Sequence, residues 1–442
     1  MRKDFLESLT SLINKNNSIP LELYEELDVK RGLRNKNGTG VLVGLTKIGS
    51  VHGYRIENGV KIPEDGRLYY RGIELSNLIS EFDKERRFSF EKTMFLLLFG
   101  KIPTSFELNF FTDLLKDLHS LPDEFVENFI LRKPSMDVMN QLQRNILCLY
   151  TIDDNPDNTD LKNLIDQTLN IIAKFPSLLV YSYQACMHKH FNKSLVIHNP
   201  IENYSMAENI LHMLRNDSNF SQIEAETLDL ILVIHAEHGG GNNSTFTSHV
   251  VSSTETDTYS TISASIGSLK GPKHGGANYM VGKMIENIKN NIDYKNEEQL
   301  KNYIYKLFKK EVFDKKGLVY GMGHAIYTLS DPRAEVLKEN AYQLALEKDA
   351  VDEYNLYTNI EKFTKQISKE LKGSDFAICA NVDLYSGFVY QLLGIPNSIF
   401  TPLFALSRIA SWNAHRIEQL TSERKIIRPA YKAVDKDGKL IL

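Results

Sequence analysis

Two histidines stand in glycine-rich segments that suit contact with a ligand. His274 lies in Gly-Pro-Lys-His-Gly-Gly-Ala-Asn (271–278), between the predicted end of one helix and the predicted start of another. His324 lies in Gly-Met-Gly-His (321–324), again on a loop bracketed by glycine. The positive end of a helix dipole favours a neutral imidazole, which can donate a hydrogen bond to a carbonyl oxygen on which charge develops. Taken alone, the first segment also fits a Gly-Pro turn whose histidine faces solvent.

A second pair of histidines, His235 and His238, ends a strongly apolar predicted helix in His-Ala-Glu-His. Because they are three residues apart in the last turn, they are predicted to share one helix face. Imidazoles at this place fit favourable charge at a helix C-terminus. A metal site would need a second pair of ligands at a standard spacing. We therefore predict no metal site.

One carboxylate and one arginine stand at predicted helix starts. Asp383, in Asn-Val-Asp-Leu-Tyr-Ser-Gly (381–387), precedes an apolar helical run and fits either a general base or a plain N-cap. Arg333 follows Asp331, a natural N-cap, and Pro332, a natural first helical residue, so it falls in the first turn. A cation there opposes the helix dipole unless an anion shares the site. An exposed arginine screened by water is the alternative.

Two further arginines lie nearer the C-terminus. Arg408 is predicted inside a helix that opens at Thr401-Pro402, and Arg428 is held extended by Pro429. Each also fits a solvated surface charge. As a set, neutral histidines, one carboxylate and several arginines suit proton abstraction next to a carbonyl, with a polycarboxylate held by bidentate arginine contacts. The sequence offers no serine or cysteine in a recognisable nucleophile elbow.

The elements that must position these residues are mostly helices. Capping boxes at Thr104 with Glu107 and at Ser221 with Glu224 mark two helix starts, and Ser89 is predicted to cap another helix. The second of these boxes precedes a run that is apolar nearly all round, which indicates a buried helix. An apolar stripe with helical spacing follows the first box and is predicted to be core; it comprises Phe106, Phe110, Phe111, Leu114, Leu115 and Leu118.

Residues 40–72 differ from the rest of the chain, because they contain short β-branched or aromatic runs at 41–43, 54–56 and 60–62, the last two of which flank Glu-Asn-Gly. Asn-Gly between two such runs predicts a β-hairpin. Between about 280 and 390 the composition becomes more charged. We therefore predict a mainly α, multi-helical fold. Its large domain would span 1–279 with the β-hairpin region at 40–72, its small domain 280–390, and residues 391–442 would return to the large domain.

Composition limits the classes of partner. The chain has 442 residues, 42% hydrophobic and 24% charged, which is typical of a soluble globular protein, and no apolar run is long enough to span a membrane. The net charge of −4 gives no general attraction for nucleic acid. Cys148, Cys186 and Cys379 are odd in number and far apart, which indicates no disulfide framework and suits a reducing compartment. With no targeting segment at the N-terminus, we expect a cytoplasmic protein.

With these motifs in view, the chain resembles citrate synthases from about residue 40 to 432. Six motifs carry the resemblance in the family's order and at about its spacing: His-Ala-Glu-His238, Gly-Pro-Lys-His274-Gly-Gly-Ala-Asn, Gly-Met-Gly-His324 with Asp-Pro-Arg333, Asn-Val-Asp383-Leu-Tyr-Ser-Gly, Phe-Ala-Leu-Ser-Arg408 and Arg428-Pro429. The resemblance implies a mostly helical homodimer whose two domains close over oxaloacetate and then admit acetyl-CoA as a second substrate. It implies no cofactor. It also implies a place at the entry of the tricarboxylic acid cycle.

The resemblance also implies a role for each residue. Asp383 would take a proton from the acetyl methyl group while His274 hydrogen-bonds the thioester oxygen, and His324 would polarise the ketone of oxaloacetate. The carboxylates of oxaloacetate would be held by His238, Arg333 and Arg408, with Arg428 reaching in from the other subunit. Citryl-CoA would then be hydrolysed to citrate and CoA. One departure concerns Thr328, which stands where some relatives place a basic residue thought to meet a CoA phosphate.

Three other functions stay open at this point. A 2-methylcitrate synthase resembles citrate synthase at the same residues and uses propionyl-CoA, and one methylene in an acyl pocket is worth only about 1–3 kcal/mol. A histidine-based metallohydrolase would lose activity to a chelator. A non-catalytic helical interaction protein would bind no oxaloacetate.

Overall fold

The fold is built mainly from helices. The computed structural model describes residues 2–17, 19–82, 87–422 and 425–441, with side chains from Phe5 onward. Its α-helices are α1 (Arg2–Asn16), α2 (Glu22–Glu26), α3 (Leu75–Phe82), α4 (Ser89–Phe99), α5 (Ser105–Leu118), α6 (Val138–Tyr150), α7 (Leu161–Phe191), α8 (Met206–Leu214), α9 (Gln222–His235), α10 (Asn243–Ser252), α11 (Thr258–Lys270), α12 (Ala277–Asn291), α13 (Glu297–Phe308), α14 (Pro332–Glu347), α15 (Val351–Lys372), α16 (Val382–Leu392) and α17 (Phe400–Ser422). Single helical turns lie at Arg31–Leu33, Val126–Leu131 and Asn397–Ile399. The predicted mainly α class is confirmed.

A small antiparallel sheet precedes the helical body. Strands β1 (Gly49–Glu57), β2 (Val60–Tyr70) and β3 (Ile73–Glu74) pair in that order. The hairpin turn at Asn58-Gly59 has φ of 52° and 78°, the left-handed values that an Asn-Gly hairpin turn requires. The predicted hairpin is therefore confirmed. The run 41–43 was also predicted to be extended in a sheet, and this was wrong, because the segment forms no strand and leaves the Leu42 side chain 96% exposed.

Helix starts were predicted with mixed success. Both capping boxes are present: Thr104 pairs reciprocally with Glu107, and Ser221 with Glu224. The prediction for Ser89 was wrong, because Ser89 is the first residue of α4 and its backbone amide is capped from another helix by the carboxylate of Asp229, at 2.9 Å. Capping by a distant residue leaves no local pattern in the sequence.

The apolar stripe of α5 was only partly a core stripe. Phe111 and Leu115 are buried, but Phe106 and Phe110 are 80% and 67% exposed. The helix packs against α4 and α7. A stripe wider than the contact face therefore continues onto the surface, which helical periodicity by itself does not distinguish from burial.

Helix α17 forms the centre of the core. It packs against α4, α7, α9, α10 and α11, and its Trp412 and Leu406 are fully buried. Replacing a buried tryptophan of this kind by alanine costs about 3–5 kcal/mol of stability. The helix therefore gives Arg408 a rigid support, because that residue lies one turn before Trp412 on a helix fixed on several sides.

Helices α12 to α16 pack mainly with one another. Helix α16 contacts α12 and α14, helix α15 contacts α13 and α14, and α14 also contacts α9 of the larger helical body. Residues 280 and 390, the predicted limits of a small domain, lie inside α12 and α16. Within the described ranges, no helix is long and apolar enough to cross a membrane.

Candidate active site

The loop that carries His324 is tied to the start of α16. The backbone amide of Gly323 donates to the carbonyl oxygen of Cys379 at 2.8 Å, and the amide of Asn381 donates to the carbonyl of Gly321 at 2.9 Å. The side chain of Asn381 adds a bond from Nδ2 to the carbonyl of Gly323 at 2.8 Å. Gly321 has a φ of +83°, which glycine adopts without strain. Two segments far apart in sequence thus form one rigid unit.

The tautomer of His324 follows from its backbone contacts. The amides of Ile326 and Tyr327 both donate to its Nδ1, at 3.1 and 3.2 Å. Burial, with a contribution from the positive charge of Arg333, lowers the pKa of His324 to about 4. The ring is therefore neutral at physiological pH, with its hydrogen on Nε2. That nitrogen can donate a hydrogen bond to a ligand oxygen.

His274 lies on the turn between α11 and α12, as the sequence predicts. Its Nε2 is 3.1 Å from Oδ1 of Asn242 and 3.2 Å from Oγ of Ser244. Burial, followed by the charge of Arg408, lowers its pKa to about 4, so this ring is also neutral. The sequence argument assigned that neutrality to a helix dipole, whereas burial is the larger cause. The solvent-facing alternative for His274 is therefore wrong.

His235 and His238 were predicted to share the last turn of a helix, and this was wrong. Helix α9 ends at His235, and His238 lies beyond it in an irregular segment. The two rings also have different neighbours. His235 packs against Phe404 with 4.8 Å between ring centroids. The ring of His238 lies 5.1 Å from that of His324. Nε2 of His238 is buried and has no hydrogen-bond partner among the described residues.

The guanidinium of Arg408 is buried with most of its hydrogen-bonding capacity unused. Its Nε donates to the carbonyl oxygen of His235 at 2.5 Å, while Nη1 and Nη2 have no partner among the described residues. Burial lowers the pKa of Arg408 to about 10, and the carboxylate of Glu237 partly offsets this effect. The side chain is 1% exposed, which rules out the solvated-arginine alternative. Buried donors without partners are the usual mark of a site for an anion.

Arg333 is fixed by the residue that caps its helix. Asp331 is the N-cap of α14 and Pro332 opens the helix, as predicted. The Asp331 carboxylate accepts from Nε and Nη2 of Arg333 at 3.0 and 2.8 Å. Burial lowers the pKa of Arg333, but the contact with Asp331 outweighs it and raises the pKa overall. The side chain is 4% exposed, so the water-screened alternative is wrong here too. Nη1 stays available for a further contact.

Asp383 is the second residue of α16, two positions after the residue that caps the helix. The N-cap is Asn381, whose Oδ1 accepts from the backbone amide of Asp383 at 3.0 Å. The alternative that made Asp383 itself the N-cap is therefore wrong. Burial raises its pKa to about 6, with Arg333 opposing the rise and Asp331 adding to it. A carboxylate of that pKa is ionised at neutral pH and more basic than a surface carboxylate, as a general base requires.

Six of the seven predicted site residues thus come together. The charges of Arg333, Arg408 and the rings of His324 and His274 all act on His238, whose pKa burial lowers well below its usual value. The charge of Arg333 in turn acts on Asp383. The exception is Arg428, which is exposed in an extended segment after α17. That segment is anchored to the same chain by a bond from the amide of Ile427 to Oγ of Ser253 at 3.0 Å.

Two features of the site were missed from the sequence. Tyr327 stacks on His324 with 4.8 Å between ring centroids, and its hydroxyl is buried with no partner in the described part of the chain. The second is Asn242, the N-cap of α10. Its Oδ1 serves His274 as well, which a local pattern could not reveal. For Tyr327, the feature of the sequence that could have indicated a place in the site is its position three residues after His324.

No group of three or more His, Cys, Asp or Glu side chains in the described chain is arranged to hold a metal ion. The hydrogen-bond donors of the site are imidazoles and guanidiniums, which bind anions and carbonyl oxygens. The arrangement can therefore hold a carboxylate-rich ligand beside a general base and two neutral imidazole donors.

Comparison with known proteins gives one consistent family. The family model described as the C-terminal domain of citrate synthase matches residues 36–430. The citrate synthase of Haloferax volcanii is 31% identical over 91% of this chain and 94% of its own length. The 2-methylcitrate synthase of Shewanella oneidensis is 29% identical over 82% of this chain and 87% of its own. The solved ternary complex of Thermoplasma acidophilum citrate synthase with carboxymethyl-coenzyme A and oxaloacetate matches with a TM-score of 0.72 and 25% identity, over 88% of this chain and 93% of that one.

Proposed function

Because the chain belongs to the citrate synthase family and is therefore an enzyme of the condensing transferase type, we propose that it joins acetyl-CoA to oxaloacetate. The products are citrate and free CoA. The observation that carries the proposal is a set of buried nitrogens that have no partner among the described residues, Nη1 and Nη2 of Arg408 and Nε2 of His238. Such donors are costly to bury unless a ligand satisfies them. A dicarboxylate with a ketone satisfies both kinds of donor.

Oxaloacetate binds with its carboxylates on Arg333, Arg408 and His238. The ketone oxygen faces Nε2 of His324, the nitrogen that carries the hydrogen. Support comes from the neutrality of both imidazoles, since neutral rings donate to a ketone without repelling the neighbouring guanidiniums. Arg428 completes the site from a second copy of the chain, in keeping with its exposed position in this one.

The carbon–carbon bond forms after enolisation of the thioester. Asp383 removes a proton from the methyl carbon, and His274 donates a hydrogen bond to the thioester oxygen as negative charge develops there. In the ligand-free chain Nε2 of His274 donates to Oδ1 of Asn242 at 3.1 Å, and the thioester oxygen takes the place of that acceptor. The nucleophilic carbon attacks the ketone carbon, whose oxygen becomes a hydroxyl. Water then cleaves the C–S bond of citryl-CoA and releases the thiol.

Domain closure accompanies the reaction in this proposal. The large domain comprises 1–279 and 391–442, and the small domain comprises 280–390. The segments 271–276, just before α12, and 393–396, just after α16, contain no helix and can bend without disturbing one. Closure excludes water, which strengthens the charged contacts and protects the thioester from premature hydrolysis. The functional unit is a homodimer, because Arg428 acts across the interface.

A cytoplasmic location and the absence of a cofactor belong to the same proposal. Cys148, Cys186 and Cys379 are all free thiols, which suits a reducing compartment. Acid–base groups and anion-binding groups account for every chemical step, so no redox or metal group is required. The second candidate function is 2-methylcitrate synthesis from propionyl-CoA, because a relative with that name covers most of the chain.

The test is release of CoA thiol from acetyl-CoA and from propionyl-CoA, each with oxaloacetate and each with and without EDTA. We expect chelator-insensitive release with a preference for acetyl-CoA. A preference for propionyl-CoA would transfer the assignment to 2-methylcitrate synthase, and loss of activity with EDTA would favour the metallohydrolase. A folded protein that releases no thiol from either donor, and that oxaloacetate does not stabilise against heat, would be an interaction protein.

A further inference from the structure

Asn278 lies four residues after His274, at the start of α12, and is 3% exposed. Its side chain faces α16. The side-chain amide could be oriented in two ways. Only one of these orientations places hydrogen-bond acceptors next to the amide nitrogen, and we adopt it. In that orientation Nδ2 lies 2.7 Å from Oδ1 of Asp383 and 3.0 Å from the carbonyl oxygen of the same residue. The amide oxygen accepts from Oγ of Ser386 at 3.3 Å.

We propose that Asn278 is a positioning residue that orients the carboxylate of Asp383 and keeps it ionised, so that the segment 271–278 carries both His274 and the support of the base. The inference rests on the proposed role of Asp383 as the base in enolisation. Helix α12 packs directly against α16, so the contact joins two elements that lie far apart in sequence. One short segment thereby fixes the distance between the group that polarises the thioester oxygen and the group that removes the proton.

The charges around Asp383 explain why this bond matters. From α14, Arg333 favours the ionised carboxylate and Asp331 opposes it. On α16 itself, burial and then the charge of Asp383 raise the pKa of the Tyr390 hydroxyl, and no partner for that hydroxyl lies in the described residues. Burial disfavours the charge, and Asn278 contributes a direct hydrogen bond to it. A donor bonded to the charged form lowers the pKa of a carboxyl group.

Two near-isosteric substitutions separate orientation from simple packing. Asn278→Leu removes the donor, and Asn278→Asp places a second carboxylate against the first. We expect Asn278→Leu to lower kcat by about 10- to 100-fold and to move the acidic limb of the pH–kcat profile upward by about one to two pH units, the equivalent of one charged hydrogen bond. Asn278→Asp moves the limb at least as far, because two carboxylates in contact oppose each other's ionisation. The KM for oxaloacetate stays within about threefold of wild type, since Asn278 touches none of the anion-binding groups.

The matched control lies on the same helix. Asn287 accepts a hydrogen bond from the hydroxyl of Tyr303 and is remote from Asp383. Asn287→Leu therefore removes an asparagine contact of α12 without touching the base, and we expect kcat and the acidic limb to stay as in wild type. A limb that does not move in Asn278→Leu, or a loss of kcat that Asn287→Leu reproduces, would overturn the inference.

A second measurement does not depend on turnover. In protein labelled with 13C at the aspartate carboxyls, the Asp383 resonance is identified by its absence from Asp383→Asn. Its pKa should be higher in Asn278→Leu than in wild type, and an equal pKa would overturn the inference. If wild type itself releases no thiol from either acyl-CoA, the proposed function fails. The titration then still decides whether Asn278 holds the carboxylate.

Discussion

Two buried arginines of α17 allow the anion site to be tested against a matched control. Arg408 is 1% exposed and so is Arg416, two turns later on the same helix. Burial lowers the pKa of each to about 10. They differ in their contacts. The nitrogens of Arg416 reach the hydroxyls of Thr258 and Thr261 at 3.3 and 3.0 Å and the carbonyl of Thr256 at 2.6 Å. Nη1 and Nη2 of Arg408 have no partner in the described chain.

The different contacts predict opposite effects of the same substitution, Arg→Met. A pKa lowered from about 12.5 to about 10 means that each buried charge costs roughly 3 kcal/mol. In Arg408→Met the relief of that cost offsets the loss of one bond to the His235 carbonyl, so the ligand-free protein should keep its stability within about 1 kcal/mol. In Arg416→Met several bonds to a charged donor are lost together, and we expect a loss of about 2–4 kcal/mol.

Binding should show the reverse order. Two charge-assisted hydrogen bonds from Arg408 to a carboxylate amount to about 3–4 kcal/mol, so Arg408→Met should weaken oxaloacetate binding by about 10²- to 10³-fold. Arg416→Met should leave the dissociation constant unchanged. The assays are the melting temperature without ligand and calorimetric titration with oxaloacetate. If Arg408→Met melts as low as Arg416→Met while binding oxaloacetate normally, the free guanidinium is structural and the reasoning fails.

Three further predictions concern the reaction. Asp383→Asn should abolish thiol release while oxaloacetate still raises the melting temperature; an active variant would remove Asp383 from the mechanism. Because burial raises the pKa of Asp383 to about 6 in the ligand-free chain and the base must be ionised, kcat/KM for acetyl-CoA should fall on acidification, with a midpoint above that value because bound oxaloacetate neutralises Arg333. The histidines should add no step between pH 6 and 8, since burial lowers the pKa of His274 and His324 to about 4. Arg428→Leu and Asp383→Asn should each be inactive alone and regain activity when mixed and reassembled, because one site of the mixed dimer is then intact; no recovery would place Arg428 in its own subunit's site.

The sequence predicted those parts of the site whose cause is local. Three consecutive residues, Asp331, Pro332 and Arg333, were enough to predict the N-cap of α14, its first residue and the place of the arginine in its first turn. The glycines around His274 and His324 correctly predicted loops between helices. In each case the conformation depends on residues within a few positions of one another, which is the range that capping and turn rules describe.

The parts that escaped prediction depend on contacts between distant segments. Whether Arg408 is buried or solvated is decided by α4, α7 and α9 around α17, and its helical spacing fits either state. The sequence likewise left two interpretations of Asp383, a general base or an N-cap. The structure shows that Asn381 is the N-cap. The exposed Phe106 shows the converse error, where an apolar side chain with the right spacing had no element to pack against. The family resemblance had assigned Arg408 and Asp383 to one site. The fold brings them together with Arg333 and the two loop histidines.

The charges of the site also explain why oxaloacetate should bind before the thioester. Without ligand, the field of Arg333 favours the ionised form of Asp383 and so holds down its basicity. A carboxylate bound to Arg333 neutralises that field, which raises the pKa of Asp383 and makes it a stronger base. In the proposed mechanism the same ligand would satisfy the groups of Arg408 and His238 that have no partner among the described residues, so closure of the proposed domains would bury paired charges instead of bare ones. On this proposal, a strong base and a dry site would exist only when the ketone to be attacked is already in place, and the enol would not form without its electrophile.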